Sequence, residues 1–301
     1  MIGLCYGDAR VDVAAELGGA IVSYTWRRRP VLRPTPASAL ATRNVRLASC
    51  YPLVPYSNRI RNAALAFNGR EYALEHNFGA HPHAIHGVGW QRAWSIDVAC
   101  DRRARLTLMH DPRVDGAGAW PWPFRATQTF DLGSSTTMAV LTTTLTLENT
   151  GRQPFPFGLG WHPFFVADAA TTVRFNAPGV WRNDATQLPV QRIAVPAAWP
   201  FRDARPLGGL TIDNVFTGWS GRADVTNAST CLRATLSADG ACGCLVVYAP
   251  PSADFIALEP VTHETDAFNR SAAGARDVGF RTLAPGCAFS CTMRVAASAS
   301  D

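Results

Sequence analysis

Hydrophobic and polar positions alternate along most of this chain, and helical spacing is nearly absent. Thr144-Leu145-Thr146-Leu147 shows the alternation clearly, as in a strand with one buried and one solvent-exposed face. The same reasoning predicts a series of strands at residues 20–26, 103–110, 124–132, 138–148, 171–175, 231–236, 244–248, 255–261 and 289–295.

Turn signals separate these predicted strands. Asn68-Gly69 lies between two short apolar runs and predicts a hairpin with a two-residue turn. Residues 184–205, rich in proline and alanine, predict a long connection instead. The 24 glycines and 21 prolines recur without concentrating in a linker, so we predict one domain over residues 1–301. The expected fold class is all-β, a large antiparallel β-sandwich.

The charge distribution limits the possible partners and chemistry. The net charge is +5, and every basic residue is an arginine, so a Schiff-base lysine is excluded. The arginines are scattered along the chain, whereas nucleic-acid binders usually concentrate positive charge on one face or element. We therefore predict no nucleic-acid partner.

Cysteine usage and hydropathy indicate the compartment. None of the eight cysteines forms a C-x-x-C pair, and Cys242-Gly243-Cys244 is too tight for the usual zinc spacing. The N-terminal residues lack the pattern of a secretory signal, and no stretch of about 20 apolar residues predicts a membrane span. These features predict a cytoplasmic protein, without membrane association, whose thiols are free and mostly buried.

The segment from Gly158 to Phe165 has the strongest potential for chemistry. Two glycines allow a close approach of the backbone, and Pro163 favours an extended conformation for the preceding His162. Histidine exchanges protons near neutral pH, and Trp161 offers apolar surface on which a sugar ring can stack. The alternative is a core histidine among packed aromatic residues.

Four other polar stretches lie among predicted strands. Their members are Asn58-Arg59, the group His81, His83 and His86, Asp213, and Glu259. A solvated turn would explain the first, and a turn cap would explain Asp213. Glu259 ends a buried run, where an unpaired carboxylate is rare and burial should raise its pKa. The histidine group lacks a nearby acidic ligand, so we predict no metal site.

Taken in order, these stretches resemble the aldose 1-epimerase (galactose mutarotase) family over roughly residues 50–270. The matching residues are Asn58-Arg59-Ile60, His86-Gly87, His162-Pro163-Phe164-Phe165, Asp213 with Phe216, Glu259, and Asp266-Ala267-Phe268-Asn269. Two departures lie near the expected sugar: Val88 stands where the family has a second glycine, and Pro260 follows the glutamate where the family more often has threonine.

The resemblance implies a β-supersandwich that interconverts the α and β anomers of a free sugar. It implies Glu259 as the base and His162 as the acid, which would start protonated. It also implies that His86, Arg59 and Asp213 hold the sugar, and we add Asn58 and Trp161 as candidate contacts. Ring opening needs only a base and an acid, each contributing typically ~10²–10⁴-fold, so no metal or organic cofactor is expected.

Three alternatives stay open from the sequence. A glycosidase would use Asp213 and Glu259 as paired carboxylates. A sugar-binding module or regulator would bind the sugar ring without catalysing its isomerisation. A hexose-6-phosphate 1-epimerase would need further basic residues, for which Arg61 and Arg125 are candidates. The preferred sugar and the oligomeric state are also open.

Overall fold

A computed structural model describes residues 1–251 and 253–300 of the protein. The first half of the chain contains the strands β1 (Ile2–Tyr6), β2 (Ala9–Ala14), β3 (Ala20–Trp26), β4 (Arg29–Pro30), β5 (Pro52–Leu53), β6 (Arg59–Ile60), β7 (Ala64–Phe67), β8 (Arg70–Ala73), β9 (Ala84–Ile85), β10 (Ser95–Cys100), β11 (Arg103–His110), β12 (Phe124–Ser134) and β13 (Met138–Asn149). Two short helices lie among them, α1 (Ala37–Ala41) and α2 (Pro112–Asp115).

The second half continues the all-β pattern. Its strands are β14 (Phe155–Phe157), β15 (Gly160–Trp161), β16 (Phe164–Val166), β17 (Thr172–Phe175), β18 (Gly179–Asn183), β19 (Pro189–Ala194), β20 (Ile212–Thr217), β21 (Arg222–Asn227), β22 (Leu232–Ala238), β23 (Cys244–Ala249), β24 (Phe255–Val261), β25 (Arg281–Leu283) and β26 (Ala288–Ala299). One helix, α3 (Ala267–Ala272), follows β24. Short 3-10 turns cover Val45–Leu47, Arg61–Ala63 and Gly89–Gln91.

Two large antiparallel sheets dominate the structure. The first has the order β10-β11-β12-β13-β26-β22-β21-β17, and the second has the order β19-β18-β20-β23-β24-β15-β5, with β16 also paired to β24. A smaller sheet, β1-β2-β3-β4, lies at the N-terminal end. The predicted all-β antiparallel fold class is therefore confirmed.

A buried polar link joins the two large sheets through the core. The indole Nε1 of Trp161 in β15 donates to Oε1 of Gln128 in β12 at 3.1 Å, and the amide of Gln128 donates to the carbonyl of Gly19 at 2.8 Å. All three residues are almost inaccessible to solvent. Because both polar groups of Gln128 are satisfied, its burial carries little penalty.

Each predicted strand is present, with ends that differ from the predicted ones by a few residues at most. β3, β11 and β24 have the predicted bounds, and β7 and β8 form the predicted hairpin. Asn68 and Gly69 both have positive φ, 50° and 71°, as a two-residue hairpin turn requires.

Two expectations are corrected. Residues 184–205 are not only a connection, because β19 lies within them and pairs with β18 at the edge of the second sheet. The eight cysteines are free as expected, but only Cys50, Cys242, Cys244 and Cys291 are buried. Within the described residues, no helix is both long enough and apolar enough to cross a membrane.

Candidate active site

The second large sheet provides the floor of a cleft of about 550 Å³. In β24, Phe255 and Glu259 line the cleft from the same face, because residues four apart in a strand point the same way. The neighbouring strands align further side chains with them: Val246 of β23 lies opposite Glu259, and Asp213 of β20 lies opposite Tyr248 of β23. Antiparallel register therefore brings two carboxylates to one surface.

Loops and short strands from the N-terminal half complete the walls. They supply Arg33, Asn44, Arg46, Leu47, Tyr51, Asn58, Arg59, Phe78, Ile85 and His86. His162 and Phe164 enter from the turn between β15 and β16. The backbone amide of His162 donates to the carbonyl of Tyr51 at 3.0 Å, which fixes this turn. Residues far apart in sequence thus meet in one volume of the size usual for small-molecule sites.

Glu259 and His162 form a buried pair at the bottom of the cleft. His162 Nε2 lies 3.1 Å from Glu259 Oε1, and the two residues are 6% and 2% exposed. The imidazole is stacked on Phe164, with ring centroids 4.3 Å apart, and Tyr51 lies 4.8 Å away. Packing therefore holds the imidazole in the orientation that faces the carboxyl group.

Burial shifts the two pKa values in opposite directions. Desolvation, followed by the charge of Asp213, raises the pKa of Glu259 well above its usual value, while Arg59 opposes this. Desolvation, followed by the charge of Arg33, lowers the pKa of His162 to about 3. The raised pKa of Glu259 is as predicted, whereas the expectation that His162 starts protonated is wrong. Both directions favour a pair that shares one proton and carries no net charge.

Several polar atoms of the site have no hydrogen-bond partner among the residues described. They are Oε2 of Glu259, Nδ1 of His162 and the Nε atoms of Arg33 and Arg59, and all four are buried. Buried polar groups in proteins are nearly always satisfied, and exceptions concentrate at functional positions. One carboxyl oxygen and three nitrogen atoms are thus free for a polar ligand.

His86 is a neutral hydrogen-bond donor. Its Nδ1 accepts the backbone N–H of Asn58 at 3.0 Å, so the proton of the neutral ring lies on Nε2. Burial, followed by the charge of His162, lowers the pKa of His86 well below its usual value. Its ring centroid lies 5.6 Å from that of His162.

Arg59 is fixed by neighbours on two sides. Its Nη2 donates to Asp213 Oδ2 at 3.0 Å, and Asn58 Oδ1 accepts from both the backbone amide and Nη1 of Arg59, at 2.9 and 3.1 Å. Asn58 and His86 both adopt positive φ, 56° and 63°, which is uncommon outside glycine. Such strained conformations cluster at ligand sites, where the surrounding structure maintains them.

Contacts from the segment after β24 position the Asn58-Arg59 segment. His263 Nε2 accepts the backbone N–H of Ser57 at 3.1 Å, and its Nδ1 lies 2.7 Å from the carbonyl of Glu264. The amide of Asp266 donates to the carbonyl of Arg59 at 2.9 Å. The Asp266 motif therefore supports the cleft from behind.

The predicted close approach at the two glycines is confirmed. A Cβ on Gly158 would lie 1.7 Å from Cδ2 of His263, and one on Gly160 would lie 2.7 Å from the carbonyl oxygen of Pro260. Only glycine fits at these positions. The backbone before His162 therefore packs directly against the segment that follows Glu259.

Trp161 does not contact the cleft, contrary to the expectation that it stacks on a sugar. It is 1% exposed, points into the core between the sheets and bonds to Gln128. Aromatic surface in the cleft comes instead from Tyr51, Phe78 and Phe164, among others.

The histidine group is divided by the fold. Only His86 lines the cleft, while His81 and His83 belong to the loop before it, where His83 Nδ1 accepts the amide of Asn62 at 3.0 Å. A different donor set is geometrically capable of holding a metal ion: ligand atoms of His86, His162 and Glu259 all lie within 4.8 Å of one another. Two imidazoles and a carboxylate also suit zinc, so the absence of a metal stays a prediction.

The sequence reasoning missed the cationic wall formed by Arg33 and Arg46. Neither belongs to a recognisable motif, and both lie outside the segment that carries the resemblance. Their place in the cleft follows only from packing, since Arg33 stacks on Phe164 and Arg46 on Phe78. The two arginines considered from sequence lie elsewhere: Arg61 pairs with Asp266, and Arg125 pairs with Glu148 in the first large sheet.

Comparison with known proteins agrees with this arrangement. The sequence profile of the family described as aldose 1-epimerase matches residues 2–296. The chain is 30% identical over 292 residues to YphB of Escherichia coli K12, an uncharacterized protein, with 94% of this chain and 93% of the relative aligned.

Solved structures share the fold. A galactose mutarotase-like protein from Clostridium acetobutylicum superimposes with a TM-score of 0.84 and 18% identity, over 99% of this chain and 94% of that chain. Galactose 1-epimerase from Lactobacillus acidophilus superimposes with a TM-score of 0.77 and 18% identity, over 98% and 92% of the two chains. At this identity the two structures establish the fold alone. The profile match and the similarity to YphB extend over nearly the whole chain, and the protein belongs to the aldose 1-epimerase family.

Proposed function

We propose that this protein is an aldose 1-epimerase, an isomerase that interconverts the α and β anomers of an aldose. The observation that carries the proposal is the buried pair of Glu259 and His162 at 3.1 Å, with a free carboxyl oxygen at the bottom of a sugar-sized cleft. One group with a raised pKa and one with a lowered pKa suit proton exchange with the neutral hydroxyl groups of a sugar.

Ring opening requires two proton transfers. Glu259 accepts the proton of the C1 hydroxyl while His162 donates one to the ring oxygen, so the bond from C1 to the ring oxygen breaks and an aldehyde forms. This step uses the form of the pair in which the proton lies on His162. Direct contact between the two side chains allows that proton to move from the carboxyl group to the imidazole.

Ring closure reverses the same transfers. The C1–C2 bond rotates by half a turn, and the C5 hydroxyl attacks the other face of the aldehyde. His162 recovers its proton from that hydroxyl, and Glu259 returns one to the oxygen on C1. No proton is gained or lost over the cycle, and neither oxidant nor cofactor takes part.

The polar wall of the cleft is suited to holding the sugar and stabilising charge. Arg59, kept in place by Asp213 and Asn58, directs a fixed positive charge into the cleft. Neutral His86 supplies an Nε2–H donor. Fixed donors of this kind stabilise negative charge that develops on oxygen in the transition state.

Two of the alternatives receive less support. A glycosidase needs two carboxylates free to act on one bond, and Asp213 is engaged by Arg59. A module that only binds sugar has no need of a buried acid-base pair. Polarimetry on freshly dissolved α-glucose and α-galactose tests the proposal. Mutarotation faster than the protein-free rate supports it, whereas no acceleration for any aldose that the protein binds contradicts it.

A further inference from the structure

We propose that the substrate carries an anionic group, which Arg33 and Arg46 bind on the wall of the cleft. This inference rests on the proposed function and names the substrate class of the same site: an aldose bearing a phosphate or carboxylate remote from C1. The carrying observation is a pair of guanidinium groups in the cleft that no described carboxylate neutralises.

Arg33 is held rigidly next to the acid-base pair. Its guanidinium carbon lies 4.1 Å from the ring centroid of Phe164 and 4.4 Å from that of Phe255. Phe164 is in turn stacked on His162, so one aromatic ring separates the cation from the imidazole. The charge of Arg33 also contributes to the lowered pKa of His162.

The hydrogen bonds of Arg33 occupy only part of its guanidinium. Nη2 donates to the carbonyl of Ala48 at 3.2 Å and to that of Arg46 at 3.5 Å. These contacts fix its position without neutralising its charge. Asp254 is the carboxylate that acts most on Arg33, and it forms no ion pair with it and does not line the cleft.

Arg46 approaches the same wall from the 3-10 turn Val45–Leu47. Its guanidinium carbon lies 4.0 Å from the ring centroid of Phe78, another residue of the cleft. Unlike Arg43, which pairs with Glu16 at 3.8 Å, Arg46 has no ion-pair partner in the described chain. Stacked arginines that keep free donors are typical of sites for phosphate and carboxylate groups.

The charges that line the cleft do not cancel. Of its three arginines, Arg59 is paired with Asp213. Glu259, the other lining carboxyl group, is shifted towards its neutral form by burial. The positive charges of Arg33 and Arg46 are left, and a neutral hexose has no negative group to pair with them. An anionic group on the sugar would pair with them.

The position of the charges indicates which end of the sugar carries the anion. C1 must lie at Glu259 and His162 for the proposed reaction, and the ring of Phe164 keeps Arg33 away from those reacting atoms. The oxygen atoms on C1 and C5 exchange protons in the reaction, so neither can carry the anionic group. The anionic group therefore lies on the far end of the aldose, as on C6 of a hexose.

The test compares matched neutral and anionic aldoses. Glucose is paired with glucose 6-phosphate and with glucuronate, and kcat/KM for anomer exchange is measured by NMR after the protein-free rate is subtracted. A charge-assisted hydrogen bond changes affinity about tenfold or more, so at least one anionic aldose should exceed glucose by about tenfold. Preference for the phosphate or for the carboxylate identifies the anion.

Three variants assign the preference to residues. Arg33→Gln and Arg46→Gln should each reduce the ratio of anionic to neutral kcat/KM by roughly three- to tenfold. Arg43→Gln removes the same charge three residues from Arg46 but outside the cleft, and should leave the ratio unchanged. Arg46 is exposed, so Arg46→Gln should fold normally. This variant tests the inference if Arg33→Gln does not fold.

The outcomes separate the two proposals. Turnover of glucose with no preference for either anion, or a preference unchanged in Arg46→Gln, overturns the inference and leaves the epimerase proposal standing. Turnover of no aldose, neutral or anionic, overturns both. Turnover of an anionic aldose with a ratio that depends on Arg46 supports both.

Discussion

Burial of Glu259 and His162 sets the pH range over which this protein should act. The pair must hold one proton for turnover, and its apparent pKa values belong to the pair as a whole. Activity should therefore fall only below about 3, where His162 gains a second proton, and again at high pH, where the raised pKa of Glu259 is passed. Between these limits the rate should be flat.

Steady-state polarimetry from pH 3 to the alkaline limb checks this expectation, with the protein-free rate subtracted and folding monitored by circular dichroism at each pH. The rate should fall as the pH is lowered through the acid limb, because the pair gains a second proton there. It should fall as the pH is raised through the alkaline limb, because the pair loses its only proton. An acid limb near 6.5, the ordinary value of a histidine, would contradict the lowered pKa of His162.

At the residue scale, the types of the central side chains were predictable but their orientations were only partly so. Seven site residues were predicted, two as the acid-base pair and five for binding. Of the five, Trp161 is the one that faces away from the cleft. Neighbouring residues in an extended chain point to opposite sides, so Trp161 and His162 cannot both enter the cleft. The sequence held this information, and the stacking hypothesis overlooked it.

At the scale of elements, two segments pass so closely that a single methyl group should disturb the site. Gly158→Ala places Cβ against the imidazole of His263, which bonds the amide of Ser57. Overpacking of this kind costs typically ~1–3 kcal/mol of stability. We expect that loss of stability together with a raised KM, because Asn58 and Arg59 follow Ser57 directly.

Urea unfolding and initial-rate kinetics of Gly158→Ala measure both effects. Gly243→Ala is the matched control, since a Cβ there meets no atom within 4 Å. Stability and KM equal to those of the control would show that the backbone can move aside, and would remove His263 from the support of the site.

The bounds of several interior strands were predictable from the sequence. β3, β11 and β24 have the predicted bounds to the residue: β11 alternates between buried and exposed positions, whereas β3 and β24 are largely buried apolar runs. The edge strands β10 and β19 are largely exposed, so they carry no alternation to detect. Their pairing is decided by the neighbouring strand, which sequence periodicity does not report.

At the scale of the whole molecule, the cleft is assembled from segments more than 200 residues apart. The resemblance located Arg59, His86, Asp213 and Glu259, because each lies in a recognisable motif. The positions of Arg33 and Arg46 depend on how the N-terminal loops fold over the second large sheet. No local pattern specifies that contact, so these arginines could be found only in the structure.

The mechanism needs no metal, although His86, His162 and Glu259 lie close enough together to bind one. Dialysis against EDTA, followed by elemental analysis and polarimetry, should leave mutarotation unchanged, because proton transfer alone opens the ring. Addition of zinc should not raise the rate. Stoichiometric bound zinc whose removal abolishes turnover would contradict the proton-transfer account.

The central claim is that the carboxyl group of Glu259 moves the proton of the sugar. The most direct measurement is the rate of mutarotation by folded Glu259→Gln, with an aldose that the wild-type protein turns over. This substitution keeps the shape of the side chain. The control is Glu71→Gln, which changes an exposed glutamate in β8. We predict a loss of roughly 10²–10⁴-fold in kcat for Glu259→Gln and no loss for Glu71→Gln. Near-wild-type turnover by Glu259→Gln would contradict the account.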